Sequence, residues 1–173
     1  MTLTDRIRFC LSTSFGLGCL PFGPGTWGTL PAVAIYAAVA WGAPARAHVW
    51  LIAAPLVAAC AVSILLVPWA ERHWGRKDPG SFVADEVAGY LLVVLLWRTS
   101  DLALTLVWSF ALARLFDIIK IPPARQAERL AGGWGVLLDD LVAAVQAAGA
   151  LHVGSWLAPA AFGAQPMLLG WAM

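Results

Sequence analysis

The feature that most limits what this chain can become is the stretch from Val49 to Trp69. It is about 20 residues long, carries no charge, and as a helix it crosses a hydrocarbon core. Pro55 and Pro68 are tolerable inside it, because neighbouring helices re-satisfy the backbone groups a proline frees. Four more apolar runs accompany it: Leu30 to Trp41, Val83 to Trp97, Leu102 to Phe116 and Val136 to Leu157. The third and fourth of the five, Val83–Trp97 and Leu102–Phe116, are about 22 Å long as helices, short for a bilayer. They read as a helical hairpin with polar ends at the interface. Composition agrees, with 61% hydrophobic and 12% charged residues, where a soluble domain carries roughly 25% charged. The chain therefore reads as one all-α domain over residues 1–173. It is a polytopic membrane helical bundle of about five spanning or partly spanning helices.

Several readings are excluded or minor. The net charge of +1 leaves no basic surface for nucleic acid. Cys10, Cys19 and Cys60 have no paired spacing and read as packing residues. Arg6 and Arg8 ahead of Phe9–Leu20 superficially resemble a signal peptide. Ser12, Ser14, Gly16 and Gly18 break that run and no small-x-small cleavage site follows. Residues 1–28 are thus kept as mature protein, with an interfacial segment as one reading. His73 reads as a solvated loop histidine, and Gln146 and His152 as helix–helix hydrogen-bonding residues. Residues 158–173 receive no assignment.

Basic residues set the orientation. With five spans, Arg6, Arg8, Arg72, Arg76, Lys77, Arg114, Lys120, Arg125 and Arg129 fall on one side, and only Arg46 and Arg98 on the other. The positive-inside rule makes the nine-residue side cytoplasmic. Trp41, Trp50 and Trp97 then mark an outer aromatic belt, and Trp27, Trp69 and Trp134 an inner one.

Every chemically suggestive motif lands on that basic side. Asp85 and Glu86 stand where an apolar run enters lipid, and Asp139 with Asp140 stand in the first turn of the last long helix. Between them lies Arg114–Lys120, in which Arg114, Asp117 and Lys120 form one stripe if the helix continues. Five carboxylates near lipid are costly unless paired, hydrated or holding a cation. Oxygen ligands without a Cys or His cluster favour Mg²⁺ or Mn²⁺ over zinc, and such an ion with Arg and Lys is equipment for phosphate. The bland alternative is helix-start acids with an Arg–Asp pair. Residues 16–29, with five glycines and two prolines, read as irregular. Thr29 serves there as an N-cap and Pro31 lies near the first helical position, or else free backbone N–H groups near Gly25 and Thr26 take an anion. A small membrane transporter or ion-binding protein, using the same acids as a cation site, is the non-enzyme alternative.

Four ordered motifs carry a resemblance. They are Gly16-x-Gly18-x-x-Pro21-x-x-Pro24-Gly25-Thr26-x-Gly28, Asp78-Pro79-x-x-x-Val83-x-Asp85-Glu86-Val87-x-Gly89, Arg114-x-Phe116-Asp117-Ile118-x-Lys120, and Gly132-Gly133-x-Gly135-x-x-x-Asp139-Asp140. Over about residues 14–150 the chain resembles the bacterial phosphatidylglycerophosphatase A family. It departs at Gly23, Ile121 and Ala144 and keeps every acidic position. The resemblance implies Mg²⁺-dependent hydrolysis of the lipid phosphatidylglycerophosphate to phosphatidylglycerol, in a multi-pass protein of the bacterial cytoplasmic membrane, and no protein partner. It implies Asp85, Glu86, Asp139 and Asp140 as metal ligands, with Asp117 as a further ligand or base. Arg114 and Lys120 then bind the phosphate, with Gly25 and Thr26 as an added anion site.

Overall fold

A computed structural model describes residues 2–163, and every described regular element is helical. Helix α1 (Leu3–Ser12) begins with a reciprocal capping box between Thr2 and Asp5. A single 3₁₀ turn, Leu17–Cys19, follows a tight reversal in which Ser14, Phe15 and Gly16 all take positive φ. Helices α2 (Pro24–Gly42), α3 (Ala45–Trp74), α4 (Ala84–Leu96) and α5 (Leu102–Ile119) come next. Then come a short turn of helix, α6 (Ala124–Ala127), the long α7 (Gly133–Leu157) and the short α8 (Pro159–Phe162). The unassigned tail now has α8 at its start, and residues 164–173 lie outside the described residues.

Among the described residues, three helices are long and apolar enough to cross a membrane: α3, α5 and α7. The other two expected spans resolve differently. Helix α2 carries a glycine-rich first turn that dilutes its apolar character. Helix α4 has 13 residues, about 20 Å, and it is the centre of the bundle, packed by α2, α3, α5 and α7. Its Ala84, Asp85, Ala88, Gly89, Tyr90, Leu91, Val93 and Val94 are all buried. It is short because protein, and not lipid, covers its faces. The four alanines of α7 at 143, 144, 147 and 148 are buried in the same core, small residues that let helix backbones approach.

The start of α2 corrects the irregular reading of residues 16–29. Gly23 takes the left-handed conformation at the cap and Pro24 opens the helix, where its fixed φ and missing N–H cost nothing. Thr29 is therefore inside the helix and donates its hydroxyl to the Gly25 carbonyl at 2.7 Å; it is not a cap. Pro31 is interior as well. Helix α3 runs through His73, so His73 is no loop residue; it stacks on Trp69 with ring centroids 4.8 Å apart and meets Trp74 edge-on.

Polar ties lock the end of the bundle away from the acidic motifs. Trp97 donates to Ser155 at 3.0 Å, His152 lies 3.2 Å from the Leu96 carbonyl, and Arg98 donates to the carbonyls of Val94 and Leu95. Trp97 is fully buried, so it leaves the outer belt, while Trp41 and Trp50 are widely exposed there. These ties place the ends of α4 and α7 together and run the two helices parallel. Their beginnings, and with them the acids, therefore share the opposite end.

Candidate active site

Four helices deliver the site. Asp85 and Glu86 stand in the first turn of α4. Arg114 and Asp117 stand near the end of α5, and Gly25 is the second residue of α2. Asp139 and Asp140 are buried in the second turn of α7, because that helix starts at Gly133. The first-turn expectation for this pair fails, and with it the helix-dipole argument. Gly133 and Gly135 instead permit close packing. A Cβ on Gly133 would lie 2.7 Å from the backbone of Ser63 and Ile64, and one on Gly135 would lie 2.2 Å from the Leu130 carbonyl.

Arg114 is the hub. Its Nη1 lies 2.9 Å from Asp117 Oδ2 and 3.5 Å from Glu86 Oε1, so it bridges α5 to α4. The backbone of α2 presses onto this bridge. A Cβ on Gly25 would fall 1.9 Å from Glu86 Oε1 and 2.5 Å from Arg114 Nη2, so only glycine brings the helix start this near. Thr26 follows, half-buried, and no side chain caps this helix start.

Lys120 behaves differently from the expected stripe. The α5 helix stops at Ile119, and Lys120 takes the left-handed conformation with φ +48°, which swings its side chain off the Arg114–Asp117 face. Its ammonium donates to Asp139 Oδ2 at 2.5 Å and stands 3.7 Å from Glu128. Burial works against that charge, but the bond to Asp139 and the charges of Asp139, Asp140 and Glu128 outweigh it and lift the Lys120 pKa above the ordinary lysine range. Asp139 is also occupied on its other oxygen, which accepts from the Asp140 backbone N–H at 3.0 Å.

The remaining acids are less well served. Among the described residues, buried side-chain atoms with no hydrogen-bond partner include Asp85 Oδ1, Glu86 Oε2, Asp140 Oδ2 and Arg114 Nε. A buried polar atom without a partner is costly and calls for an explanation. A small cavity of ≈ 10 Å³ lies here, lined in part by Thr29, Glu86, Tyr90, Arg114, Asp117 and Asp140, which is about the room one water needs. Among the described residues, no three His, Cys, Asp or Glu side chains already converge as a metal site. What fits a hard cation is the donor chemistry: three unpartnered carboxylate oxygens from two helices, with no sulfur or imidazole among them.

Of the nine residues singled out from sequence, Glu86, Asp117, Asp140 and Arg114 line the cavity, Gly25 packs against Glu86 and Arg114, and Asp85 is the buried neighbour of Glu86. Thr26 sits beside Gly25, while Asp139 and Lys120 form an adjoining ion pair. Glu128 and Tyr90 were not singled out, and Thr29 was read only as a helix cap. Glu128 looked like one charge of a loop, and Tyr90 carried no signal beyond its helical spacing from Glu86. Asp78, near the start of the second motif, is held in the left-handed region with φ +44°. Desolvation raises its pKa, and the Lys120 charge opposes that rise.

The sequence profile described as phosphatidylglycerophosphatase A matches residues 10–155. A Bacteroides thetaiotaomicron protein, provisionally named a phosphatidylinositol-3-phosphatase, is 35% identical over 148 residues, 85% of this chain and 92% of its own length. The phosphatidylglycerophosphatase A of Escherichia coli is 29% identical over 148 residues, covering 82% of this chain and 80% of its own. That of Haemophilus influenzae is 30% identical over 143 residues, covering 79% and 82%. No solved structure gives a significant match.

Proposed function

The chain belongs to the phosphatidylglycerophosphatase A family, and from that premise we propose that it hydrolyses phosphatidylglycerophosphate to phosphatidylglycerol and phosphate. The reaction takes place at the cytoplasmic face of a bacterial inner membrane, with Mg²⁺ as cofactor. The observation that carries this reading is a set of unpartnered buried atoms: oxygens of Glu86 and Asp140 and the Nε of Arg114, all from residues that line one cavity, with an oxygen of Asp85 next to Glu86 in the chain. Acceptors for a cation and a donor for an anion stand side by side, which is what a phosphate ester with a divalent ion requires.

Asp85, Glu86 and Asp140 would hold the ion. Asp139, named with them from sequence, is already bonded to Lys120 and to the Asp140 N–H, so it orients the cluster and fixes Lys120. When bound, Mg²⁺ supplies Lewis-acid polarisation of the phosphoryl group.

The chain's own side chains do the rest. Arg114 receives the phosphate through its free Nε and keeps its other edge on Asp117 and Glu86. Asp117 is the base: it takes a proton from the attacking water as that water's oxygen bonds to phosphorus. The ester P–O bond to the glycerol breaks, and the departing oxygen is protonated from solvent. The Gly25–Thr26 helix start adds backbone N–H groups and a positive dipole end. The Lys120 charge, held by Asp139, offsets the negative charge that gathers on the phosphoryl oxygens. The acyl chains remain in the leaflet beside α3, α5 and α7.

The bilayer orientation in this proposal rests on the basic residues at the acid-bearing end of the bundle. The test is direct. Purified protein in detergent micelles containing phosphatidylglycerophosphate should release inorganic phosphate and leave phosphatidylglycerol as the sole lipid product. A protein that binds the lipid without releasing phosphate would refute the assignment.

A further inference from the structure

The acid-bearing end of the bundle carries a second concave surface. Where α3 runs out at Gly75, an open cleft of ≈ 370 Å³ is lined by Arg72, Arg76 and Lys77, with Glu71 as its one acid and Pro68 and Gly75 as its floor. All three basic residues are exposed. None of them belongs to an ion pair among the described residues. Topology alone accounts for their sign. It does not account for their grouping in one hollow, nor for where Arg76 points.

Arg76 reaches toward the active site. A Cβ on Gly80 would lie 3.7 Å from Arg76 Nη2 and 4.0 Å from Pro24 Cγ. Pro24 immediately precedes Gly25, whose backbone touches Glu86 and Arg114. Arg76 and Pro24 therefore flank the same point at Gly80, and Pro24 adjoins the Gly25 backbone beside Arg114, so the basic cleft and the acidic cavity lie on the two sides of the α2 start.

The proposed substrate has two phosphates joined by a glycerol: the terminal monoester that is cleaved and the internal diester that is kept. We infer that the Arg72, Arg76 and Lys77 cleft is a second anion subsite, which holds the phosphodiester of the lipid while its terminal phosphate lies at Arg114. This rests on the phosphatase reading and adds a selectivity to it. Two arginine forks suit the non-bridging oxygens of a diester. A lipid whose only phosphate is the terminal monoester, phosphatidic acid, cannot occupy both places. A diester of a bystander anionic lipid offers the same chemistry, so the test separates the two sources.

The full chain is assayed in neutral-detergent micelles for phosphate release from phosphatidylglycerophosphate and from phosphatidic acid. The proteins are wild type, the double variant Arg72→Gln with Arg76→Gln, Lys77→Gln, and Arg125→Gln as a same-end control outside the cleft. In the double variant, KM for phosphatidylglycerophosphate should rise about tenfold, as expected when charge-assisted contacts are lost at an exposed site, with kcat nearly kept. The ratio of kcat/KM for the two substrates should fall about tenfold with it, less in Lys77→Gln and not in Arg125→Gln. An equal loss on both substrates would overturn the subsite, as would a loss seen only after phosphatidylglycerol is added to the micelles. A wild type that releases phosphate from neither lipid overturns the phosphatase reading itself, whereas an active wild type with an unchanged ratio in the variants overturns only the subsite.

Discussion

Lys120 donates a hydrogen bond to Asp139 across the boundary between α5 and α7, with the nitrogen 2.5 Å from Oδ2. Asp139 is buried and Lys120 only partly so, so the two are unequal: removing the lysine strands a buried carboxylate. Lys120→Ala should therefore cost about 2 kcal/mol or more of stability, and Lys120→Ala with Asp139→Ala should recover much of it. Thermal unfolding in detergent reads both. Phosphatase activity should stay low in the double variant, because the charge beside the phosphate is still gone. Recovery of activity together with stability would reduce Lys120 to a structural cation.

Gly25 and Gly133 should separate chemistry from packing. The Cβ of Gly25→Ala would meet the flexible ends of Glu86 and Arg114, which can move aside. That variant should fold and lose about a hundredfold in turnover, the scale expected when reacting groups are displaced by about 1 Å. The Cβ of Gly133→Ala would meet the α3 backbone at Ser63 and Ile64, which cannot yield in the same way. It should lower the melting temperature, while turnover per folded molecule is nearly unchanged. The opposite pattern in the two variants would contradict the packing described for α2.

Asp78 gives a pH dependence. Its folded pKa is raised by desolvation, so the folded state binds this proton more tightly than the unfolded chain does. Ionised Asp78 therefore costs stability. The cost is absent below the unfolded carboxyl value near 3.8, grows as pH rises through the folded pKa, and is fully present above it. Asp78 keeps contact with solvent, which screens the effect, so Asp78→Asn should be only slightly more stable than wild type at pH 7, and the gap should close as pH falls toward about 4. Melting curves at several pH values check this. A variant less stable than wild type at pH 7 would show that Asp78 makes a favourable contact that outweighs its desolvation.

Much of this was readable from residue order alone. The uncharged run around Val49–Trp69 and the apolar runs near 102–116 and 136–157 became α3, α5 and α7. Of the acids, Glu86 and Asp117 meet at Arg114, and Asp140 lines the same cavity. What could not be read follows from two physical facts. Lipid and a protein interior are both apolar, so hydropathy could not tell that α4 is wrapped by four helices or that Trp97 is buried against Ser155 instead of lying in a belt. Glycine is also ambiguous. At Gly23 it makes a left-handed cap, at Gly25 it lets a helix touch two charged side chains, and at Gly133 it lets one helix touch another, whereas a count of glycines in a stretch says only "irregular". The left-handed turn at Lys120 was hidden for a related reason, since nothing in a lysine announces that φ will be positive.

The unpartnered oxygens predict a separation of stability from activity. Asp85→Asn, Glu86→Gln and Asp140→Asn each remove one like charge from a crowded, buried group. Each should lose most of its turnover while keeping, or slightly raising, the melting temperature measured in chelator. Loss of folding in all three would mean that these acids hold the bundle together and have no need of an ion.

The most direct measurement of the central claim is metal binding and activity followed on the same sample. Protein stripped with EDTA should release no phosphate from phosphatidylglycerophosphate. Added Mg²⁺ should restore turnover, and added Mn²⁺, observed by electron paramagnetic resonance, should bind wild type and fail to bind Asp85→Asn with Asp140→Asn. Full turnover in chelator, or unchanged Mn²⁺ binding in that double variant, would contradict the assignment of Asp85, Glu86 and Asp140 as the ligands of a catalytic ion.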